Sequence, residues 1–391
     1  MMHMKDAVIV SAVRTAGARG KKDGGLATVH PVDLSAEVLK AVVQRVKLDP
    51  ALVDDVLWGC AMPEGAQGLN IARLGVLRAG FPVDVSAATV NRFCSSGLQT
   101  VAMAAQSIMT GLCDVVIAGG IEMMSAVPMG GFHTRLHPEM TEENIGMGFT
   151  AERVAKQWGI TRDQADDFAL GSQQKAAAAW QRNAFAREIV PVPVPRVTWK
   201  GGKKSTEITQ FAVDELVRAE TTREGLGKLR PAFAAKGVVT AGNSSPLSDG
   251  AAALLLMSAG KAKELGLRPL ARFVTFATAG VAPDIMGVGP IKAVPKALDK
   301  AGLTLGDLKM IELNEAFATQ GLAVINELGM DTSRVNVNGG AIALGHPLGA
   351  TGAKLTTQLV HAMGASGGGL GMVTMCIGGG MGAAGIFEVY T

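Results

Sequence analysis

Four residues that can take part in chemistry lie on short turns rich in small side chains. They are Cys94 in NRFCSSGLQ, Asn314 in NEAFA, His346 in GHPLG and Cys376 in MCIGGG. Thiols and imidazoles are common nucleophiles and proton carriers in covalent catalysis. Each residue also has a structural explanation, since cysteine is often a small buried hydrophobe, asparagine a turn residue and histidine a hydrogen-bonded polar residue. Their function therefore depends on whether the fold brings them together.

The elements around these turns indicate an α/β fold. Short apolar runs predict strands, and apolar residues at three- and four-residue steps predict helices. The predicted strands cover 7–13, 53–61 and 114–120, and the predicted helices cover 33–46 and 97–110. Cys94 then lies just before a buried helix, and Gly111 stands at the end of that helix as a C-cap. In open α/β sheets, sites form at the strand ends and the turns beyond them, so the four residues are predicted to converge.

The second part of the chain repeats the order of the first. A helix over 291–301, a strand within 307–317, the turn around His346 and a strand ending in CIGGG follow the same order as the elements around Cys94. We therefore predict two related α/β halves. The predicted halves are 1–120 together with 251–275, and 276–391.

Residues 121–250 break this order and are predicted to form an insertion in the first half. Met, Gly and Pro crowd MMSAVPMGGFHTRLHP, a segment rich in Ala and Gln over 163–185 predicts a helix, and the polar stretch PVPVPRVTWKGGKKSTEITQF follows. The insertion carries basic residues that could meet phosphate groups, although a charged run is usually a solvated surface. These residues are Arg196, Lys200, Lys203, Lys204, Arg218, Arg223, Lys228 and Arg230.

Composition and charge argue against several classes of protein. The 391 residues carry a net charge of only +3, so no strong field favours nucleic acid or an anionic membrane. Four cysteines without a paired spacing favour a reducing compartment over a disulfide framework. The N-terminal MMHMKDAVIVSAVRT lacks the apolar run of a signal peptide, and no segment has the roughly 20 apolar residues of a membrane span. These features predict a soluble cytoplasmic protein.

Three segments that look like motifs lack the context of the chemistry they suggest. GMGAAG near the C-terminus matches a dinucleotide-binding pattern but leads into a strand, and GHPLGATGAKL lacks the spacing of a P-loop. His133 and His137 lie four residues apart among Gly and Pro, without a third ligand in the sequence nearby. No metal site is therefore predicted.

Five segments resemble the signature blocks of the thiolase family, in the family's order and over nearly the whole chain. They are NRFCSSGLQ, TAGNSSPLSDGAAALLLMS, NEAFA, NGGAIALGHPLGATGA and CIGGGMG. The resemblance implies the thiolase fold, in which two duplicated βαβαβ-type halves form a five-layered αβαβα core and a coenzyme A-binding loop domain is inserted in the first half. The insertion predicted above agrees with this arrangement.

The resemblance also implies a role for each reactive residue. Cys94 would be the nucleophile that becomes acylated, and His346 the base that activates it. Cys376 would be the second acid and base, and Asn314 would hold a water. That water and His346 would stabilise the thioester oxygen, while the backbone N–H groups of Cys94 and Gly378 would stabilise the tetrahedral adduct. A helix N-terminus and a nearby imidazolium are expected to lower the pKa of Cys94.

The same resemblance implies which residues contact coenzyme A. Ser245, Ala241 and Gly242 would lie against the pantetheine arm, and Arg218 would lie near the nucleotide end. Coenzyme A would be a substrate, and no permanently bound cofactor is implied.

Gly146 and Met147, in NIGMGFTAERVA, are the candidates for the acyl pocket. Short-chain biosynthetic thiolases tend to carry histidine where this chain has Gly146, and glycine leaves more room. Together with VRAETTREGLGKLRPAF, this resembles the degradative 3-ketoacyl-CoA thiolases of fatty-acid β-oxidation, which act on longer chains. The alternatives are a short-chain acetyl-CoA acetyltransferase and a 3-oxoadipyl-CoA thiolase, whose dicarboxylic substrate would need a further cation near the pocket.

Two alternatives to thiolysis differ from it in the reactive residues that they need. A decarboxylating ketoacyl synthase would use one cysteine and two histidines, and Asn314 and Cys376 argue against it. A catalytically silent lipid-binding relative would not need all four reactive residues. The resemblance further implies a homodimer or homotetramer, and some family members join a multienzyme β-oxidation partner. The sequence leaves open the chain-length preference, the direction of the reaction, the oligomeric state and the roles of Cys60 and Cys113.

Overall fold

The described chain consists of thirteen β-strands and eleven α-helices joined by turns and short 3₁₀ segments. This computed structural model describes residues 5–132, 135, 137–140, 146–201 and 203–391. The strands are β1 Ala7–Thr15, β2 Ala18–Arg19, β3 Asp55–Gly59, β4 Ser86–Val90, β5 Val115–Met123, β6 Ile189–Val190, β7 Val192–Lys200, β8 Lys203–Phe211, β9 Ser248–Ser258, β10 Ala271–Gly280, β11 Met310–Leu313, β12 Gly369–Ile377 and β13 Met381–Val389. The helices are α1 Pro31–Gln44, α2 Ile71–Arg78, α3 Ser96–Met109, α4 Met147–Trp158, α5 Arg162–Gln181, α6 Arg223–Gly227, α7 Ala259–Glu264, α8 Gly289–Ala301, α9 Ala318–Leu328, α10 Ala341–Leu344 and α11 Leu348–Gly364. None of the helices in the described ranges has the length and apolar character of a membrane span.

Eleven strands of the described chain form one hydrogen-bonded sheet. Its main path runs β11-β12-β13-β10-β1-β9-β5-β3-β4, with β2 beside β9 and β6 beside β1. The strands β1 and β9 are buried along their whole length, which explains their continuous apolar sequences AVIVSAV and AAALLLM. Between β1 and β10 the register contains the two pairs Val8↔Arg272 and Ile9↔Ala271. The path therefore divides at this short junction into two half-sheets.

Helices cover the outer face of each half-sheet and also lie between the two half-sheets. On the first half-sheet, α1 and α2 bury an apolar cluster that includes Leu39 and Val76. On the second, α8 and α9 bury a cluster that includes Ala297 and Val324. The helices α3 and α11 pack against each other in the middle layer. This order of layers confirms the predicted five-layered αβαβα fold.

The two halves repeat one topology. In the first half β3 runs parallel to β5, and in the second half β11 runs parallel to β12. The strand after the central helix, β5 or β12, then pairs antiparallel with a long buried strand, β9 or β13. The turn before α3 carries Cys94, and the turn before α11 carries His346. The predicted duplication therefore sets these two residues at corresponding places.

The two central helices are rich in small residues because they are buried from both sides. Almost every residue of α11 is buried. A Cβ atom on Gly352 would lie 2.1 Å from the backbone nitrogen of Leu98, and one on Gly97 would lie 2.7 Å from the backbone nitrogen of Ala353. Both positions therefore need glycine, which lets the two helices approach closely near their N-termini. This approach brings the two turns together.

Between β5 and β9 the chain forms α4, α5, α6 and the separate two-stranded sheet β7-β8. The helix α5 begins at a capping box of Thr161 and Gln164, and it confirms the helix predicted in this segment. The sequence analysis predicts no element in the polar stretch after it, whereas this stretch forms the hairpin β7-β8. Pro193 and Pro195 lie within β7, and they are tolerated because each strand of a two-stranded sheet has a free edge.

A buried ionic cluster ties this segment to β1. Arg14 Nε donates to Glu188 at 2.6 Å, and its two terminal nitrogens donate to Asp214 at 2.8 and 3.1 Å. The Arg14 guanidinium also lies 5.0 Å from the centre of the Phe185 ring. Removing one member of a buried ion pair typically costs about 3–5 kcal/mol, because the other charge is left unpaired. The cluster therefore fixes the position of the insertion on the core.

Candidate active site

Cys94 lies on a strained turn between β4 and α3. The turn is the 3₁₀ segment Phe93–Ser95, and Phe93 has a φ of 43°, a left-handed conformation that large side chains rarely adopt. The Ser96 hydroxyl accepts from the Arg92 N–H at 2.8 Å and donates to the Phe93 carbonyl at 2.7 Å, which holds the turn. Cys94 is 1% exposed, and its turn packs against α11. Backbone strain of this kind persists only where the surroundings hold it, and it is common at functional sites.

His346 lies on the corresponding turn between α10 and α11. Its backbone N–H donates to Ser248 Oγ at 3.0 Å. Gly345 before it has a φ of 83° and a ψ of 159°, a combination that is open to glycine alone. The imidazole is buried and has two polar contacts: Nε2 lies 3.3 Å from Asn314 Nδ2, and Nδ1 lies 2.7 Å from Thr351 Oγ1. These contacts fix the orientation of the ring.

Cys376 and Gly378 lie at the end of β12, close to Cys94. Cys376 is fully buried, and its pKa is raised well above the ordinary range by burial and by the nearby Cys94. A Cβ atom on Gly378 would lie 3.4 Å from Met147 Cε and 3.8 Å from the Phe93 ring. The structure therefore brings the second thiol, the predicted oxyanion glycine and a predicted acyl-pocket residue to the turn of Cys94.

The expectation that Cys94 has a lowered pKa is wrong. Burial raises the pKa of Cys94 to about 11, and hydrogen bonds from the N–H groups of Gly378 and Cys94 itself offset part of this rise. His346 is a neutral imidazole, because burial and the positive charge of Lys354 lower its pKa to about 3. No imidazolium is therefore present at neutral pH to stabilise a thiolate. The resting site holds a thiol and a neutral base, and the thiol must lose its proton as it reacts.

Asn314 follows β11 on the turn of NEAF. Its backbone N–H donates to the Thr374 carbonyl at 2.9 Å, and the side-chain Oδ1 is buried with no hydrogen-bond partner among the described residues. The next residue, Glu315, accepts from the Ser172 hydroxyl at 2.6 Å and from Asn336 Nδ2 at 2.8 Å, which anchors the turn. A buried carbonyl oxygen of this kind usually bonds an ordered water. Asn314 can therefore contact His346 through its nitrogen and hold a water through its oxygen.

A cavity of ≈ 530 Å³ reaches His346 from the surface. Its wall is mainly apolar and includes Met124, Met129, Phe149, Phe233 and Leu348. Five residues predicted for coenzyme A or acyl binding also line it, namely Gly146, Met147, Arg218, Ala241 and Ser245. The size and lining fit a partly apolar ligand that reaches the imidazole.

A smaller cavity of ≈ 240 Å³ adjoins the first, and Arg218 and Ala241 line both. Gly242, the remaining residue predicted for coenzyme A, lines this second cavity. Its wall is more polar and includes Glu220, Thr221 and Thr222. The residues predicted for coenzyme A therefore line two adjoining spaces, and the exposed Arg218 lines both.

The other basic residues of the insertion do not line these cavities in the described part of the chain. Arg223 pairs with Asp163 and Asp167, and Lys228 pairs with Glu224 at 2.5 Å on the exposed surface. The side chains of Lys200, Lys203 and Lys204 lie outside the described part of the structure. For Arg223 and Lys228, the interpretation as a solvated surface is therefore the better one.

Several residues that shape the site were not singled out from the sequence. Glu122 is buried and accepts from the N–H groups of Ala61 at 2.8 Å and Gly349 at 2.9 Å, which joins the two halves near the turns. Lys354 Nζ donates to the carbonyls of Leu344 and Gly345 at 3.0 and 2.9 Å, directly before His346. The available signal in α11 was Lys354, the one Lys, Arg, Asp or Glu of that helix.

His133 and His137 are the two residues that the sequence places at a spacing suited to a metal ion. His133 lies outside the described residues. Within the described ranges, no three His, Cys, Asp or Glu side chains are grouped so as to hold a metal ion.

Comparison with known proteins identifies the class to which this fold and site belong. Residues 7–260 match the family model "Thiolase, N-terminal domain", and residues 267–389 match "Thiolase, C-terminal domain". The chain belongs to the thiolase family.

Individual relatives carry two kinds of name. The 3-ketoacyl-CoA thiolase of Bacillus subtilis is 54% identical over 393 residues, which cover 99% of this chain and 100% of the relative. The acetyl-CoA acetyltransferase of Escherichia coli is 47% identical over 402 residues, which cover 98% of this chain and 99% of the relative. The crystal structure of the Bacillus anthracis acetyl-CoA acetyltransferase has a TM-score of 0.88 and 40% identity, with 100% of both chains covered. Both names describe acyltransferases, and they differ in the substrate.

Proposed function

We propose that this acyltransferase of the thiolase family cleaves 3-ketoacyl-CoA with coenzyme A, and so releases acetyl-CoA and a shortened acyl-CoA as in fatty-acid β-oxidation. The observation that carries the proposal is a buried thiol, Cys94, that lies near the second thiol Cys376 and packs with Leu348, which lines a mainly apolar cavity together with the neutral imidazole of His346. A carbon–carbon cleavage of this kind needs a nucleophile at the keto carbon and an acid for the leaving carbanion.

In the first half-reaction Cys94 is the nucleophile. Its sulfur bonds to the keto carbon while its proton passes to the neutral His346, which is a competent acceptor because it is uncharged at neutral pH. The bond between the α- and β-carbons then breaks and leaves an acyl group on Cys94. The departing acetyl-CoA enolate takes a proton at carbon from the Cys376 thiol. The raised pKa of Cys376 keeps that proton in place until the enolate forms.

In the second half-reaction coenzyme A removes the acyl group. The Cys376 thiolate accepts the proton of the coenzyme A thiol, and the new thiolate attacks the Cys94 thioester. The bond to the Cys94 sulfur breaks, and that sulfur regains its proton from His346. Each protein group therefore returns to its starting state.

Negative charge develops on two oxygens during this cycle, and each needs its own donors. The N–H groups of Cys94 and Gly378, which already stabilise charge at the Cys94 sulfur, are the proposed donors for the tetrahedral adduct. The proposed donors for the thioester oxygen are His346 and a water on Asn314 Oδ1, the buried oxygen without a protein partner.

For the substrate, we propose that the two adjoining cavities hold coenzyme A and the acyl chain. Ser245, Ala241 and Gly242 would contact the pantetheine arm, and the exposed Arg218 would meet a phosphate of the nucleotide. Residues 121–250 would then act as the coenzyme A-binding insertion between the halves 1–120 with 251–275 and 276–391.

The acyl chain is proposed to lie along Gly146 and Met147. Gly146 has no side chain, and a Cβ atom there would lie 3.3 Å from the Phe149 ring, so the wall beyond it is apolar. This apolar wall favours a longer chain. The short-chain acetyl-CoA acetyltransferase is the second candidate, and the names of the relatives from Escherichia coli and Bacillus anthracis favour it.

A dicarboxylic substrate such as 3-oxoadipyl-CoA is a third candidate, because the cavity wall contains two cations that the sequence analysis did not locate. They are Arg19 and Lys21. Glu215 binds the Arg19 guanidinium at 2.9 and 3.0 Å, so Lys21 is the better placed of the two to meet a terminal carboxylate.

The experiment that tests the proposal follows coenzyme A-dependent loss of the 3-ketoacyl-CoA enolate absorbance. Acetoacetyl-CoA, 3-ketohexadecanoyl-CoA and 3-oxoadipyl-CoA are compared on the wild type, on Cys94→Ala and on the control Cys113→Ser. We expect the long chain to be cleaved at least as fast as acetoacetyl-CoA, Cys94→Ala to be inactive, and Cys113→Ser to match the wild type.

Each other outcome selects one of the alternatives. Cleavage of acetoacetyl-CoA alone would support the short-chain enzyme, and cleavage of 3-oxoadipyl-CoA alone would support the dicarboxylic one. Failure to cleave any of the three, with labelling of Cys94 by a thiol reagent still blocked by acyl-CoA, would support a lipid-binding protein.

The remaining expectations about the cell and the assembly belong to this proposal. They are a cytoplasmic location, coenzyme A as substrate without a permanently bound cofactor, and a homodimer or homotetramer that can join a multienzyme β-oxidation partner. The full-length match to the Bacillus subtilis 3-ketoacyl-CoA thiolase supports 3-ketoacyl-CoA as the substrate.

A further inference from the structure

Thr351 is a fully buried residue of α11 whose hydroxyl touches the imidazole of His346. Its Oγ1 lies 2.7 Å from His346 Nδ1 and 2.9 Å from the carbonyl oxygen of Pro347. A threonine hydroxyl has one proton to donate and lone pairs to accept. The carbonyl of Pro347 can only accept, so the hydroxyl donates to it. The contact with Nδ1 must then be one in which Thr351 accepts and Nδ1 carries the proton.

The opposite side of the ring leads to the same protonation pattern. His346 Nε2 lies 3.3 Å from Asn314 Nδ2, and an amide nitrogen is a donor without a lone pair to offer. With the Asn314 amide in this orientation Nε2 accepts, which requires that it carry no proton. Two contacts on two different elements, α11 and the turn after β11, thus agree on one tautomer.

The ring is neutral in the resting protein, so the choice of tautomer has a chemical consequence. Burial and Lys354 keep the pKa of His346 at about 3. A neutral imidazole has one protonated and one unprotonated nitrogen, and only the unprotonated nitrogen can take a proton. Lys354 acts on the charge of the ring and holds the carbonyls before it, but it makes no contact that distinguishes the two nitrogens.

We propose that Thr351 is a positioning residue that holds His346 as the Nδ1–H tautomer, so that Nε2 is the atom that accepts the proton of the Cys94 thiol. This inference rests on the proposed function of Cys94 and His346. As sulfur bonds to the carbonyl carbon, its proton moves to Nε2, the hydrogen bond from Asn314 Nδ2 to that nitrogen breaks, and the ring becomes an imidazolium with two N–H groups. Nδ1–H then still donates to Thr351, which stabilises the new charge. In the other tautomer Nε2 carries the proton and cannot accept the proton of the thiol.

The test uses variants that keep the shape of the side chain. Thr351→Val replaces the hydroxyl with a methyl group of similar size, and Thr351→Ser restores the hydroxyl. The protein is labelled with nitrogen-15 histidine, and the tautomer is determined from the correlations between ring nitrogens and ring protons. The chain has six histidines, so His346→Gln identifies the signal of His346. This measurement needs no substrate, and it therefore remains informative if the proposed reaction fails.

We expect the wild type and Thr351→Ser to show the Nδ1–H tautomer, and Thr351→Val to lose the preference for it. A wrong tautomer in a Ser-His-Asp triad costs about 10⁴-fold in turnover, and an uncharged partner such as threonine should contribute less. We therefore expect iodoacetamide to alkylate Cys94 about 10²-fold more slowly in Thr351→Val. Thr351→Ser should recover to within about threefold of the wild type. Peptide mapping separates Cys94 from the other cysteines, and melting temperatures confirm that the variants fold.

Three results would overturn the inference. The first is an Nε2–H tautomer in the wild type. The second is a Thr351→Val protein that keeps both the Nδ1–H tautomer and the wild-type alkylation rate. The third is a change of tautomer without slower alkylation, which would show that the tautomer does not limit activation of the thiol. If Thr351→Val does not fold, the wild type and Thr351→Ser still decide between the two tautomers.

Discussion

The turns that carry Cys94 and His346 occupy corresponding places in the two halves, yet they are built in opposite ways. The first turn uses a large residue, Phe93, at a positive φ, and backbone N–H groups act on its thiol. The second turn uses Gly345 at a positive φ, and its imidazole is held by Asn314 and Thr351. The same topology therefore carries a thiol contacted by backbone N–H groups in one half and an imidazole oriented by two side chains in the other.

The difference follows from what each side chain would do. A nucleophile that becomes acylated must change its bonding partner, so directional side-chain hydrogen bonds to it would have to break in each cycle. A general base must present one nitrogen in one direction, so directional contacts help it. Burial favours the uncharged form of both groups. It keeps the thiol protonated and the imidazole unprotonated.

The strongest test of this comparison removes the two groups singly and together. We expect Cys94→Ser and His346→Gln each to lower turnover of 3-ketoacyl-CoA at least about 10³-fold, because one replaces the thiol with a far weaker nucleophile and the other removes its base. The double variant should be no slower than the slower single variant, since the two groups act as a unit. Steady-state kinetics measures all three, with Cys113→Ser as the matched cysteine control. Effects that multiply in the double variant would contradict a shared role.

A second test concerns the glycine of the His346 turn. A Cβ atom on Gly345 would lie 2.6 Å from Leu216 Cδ1 and 2.8 Å from Ser248 Oγ, and the backbone there has a positive φ. We expect Gly345→Ala to lower the free energy of unfolding by about 3 kcal/mol, from strain and overpacking together.

The matched control is Gly171→Ala in α5. A Cβ atom there would meet no atom within 4 Å, and alanine favours a helix over glycine by about 1 kcal/mol. Denaturant unfolding of the two variants compares them directly. Equal stabilities would show that the second turn does not need its glycine and would weaken the contrast with Phe93.

A third test uses the pH dependence of stability. The folded-state pKa of His346, about 3, lies below the ordinary value of 6.5, so the unfolded chain binds more protons between these pH values. His346 should therefore make the free energy of unfolding about 2 kcal/mol smaller at pH 5 than at pH 7. Subtracting the stability of His346→Gln from that of the wild type at each pH isolates this contribution. A difference that does not change with pH would mean that the ring is not buried in its neutral form.

Much of the architecture could be predicted because it depends on patterns that are local in the sequence. Runs such as AVIVSAV and AAALLLM form central strands, and the small residues after Cys94 and His346 form the two central helices. The hairpin β7-β8 was missed because Pro193 and Pro195 disguise a strand, and a free edge is what makes them tolerable there.

The candidate site was predicted less completely. The four reactive residues were recognisable on their turns, and so were six of the residues that line the cavities. Lys21 and Thr351 were not recognisable from the sequence. Lys21 becomes a candidate only because the fold places it in the cavity wall, and Thr351 only because the path of α11 places its hydroxyl beside the His346 ring. The shift in the pKa of Cys94 was predicted with the wrong sign, because burial outweighs the local charges and N–H groups that the sequence indicates.

By itself the sequence determined the order of strands and helices, the duplication, the family blocks and the types of the reactive side chains. Only the tertiary structure decided that the two turns meet across the α3–α11 contact, and that Lys354, Asn314 and Thr351 surround one imidazole. The physical reason is that secondary structure follows from local spacing, whereas desolvation and hydrogen-bond partners depend on every element that packs around a group. The charge and tautomer of His346 are therefore properties of the whole fold.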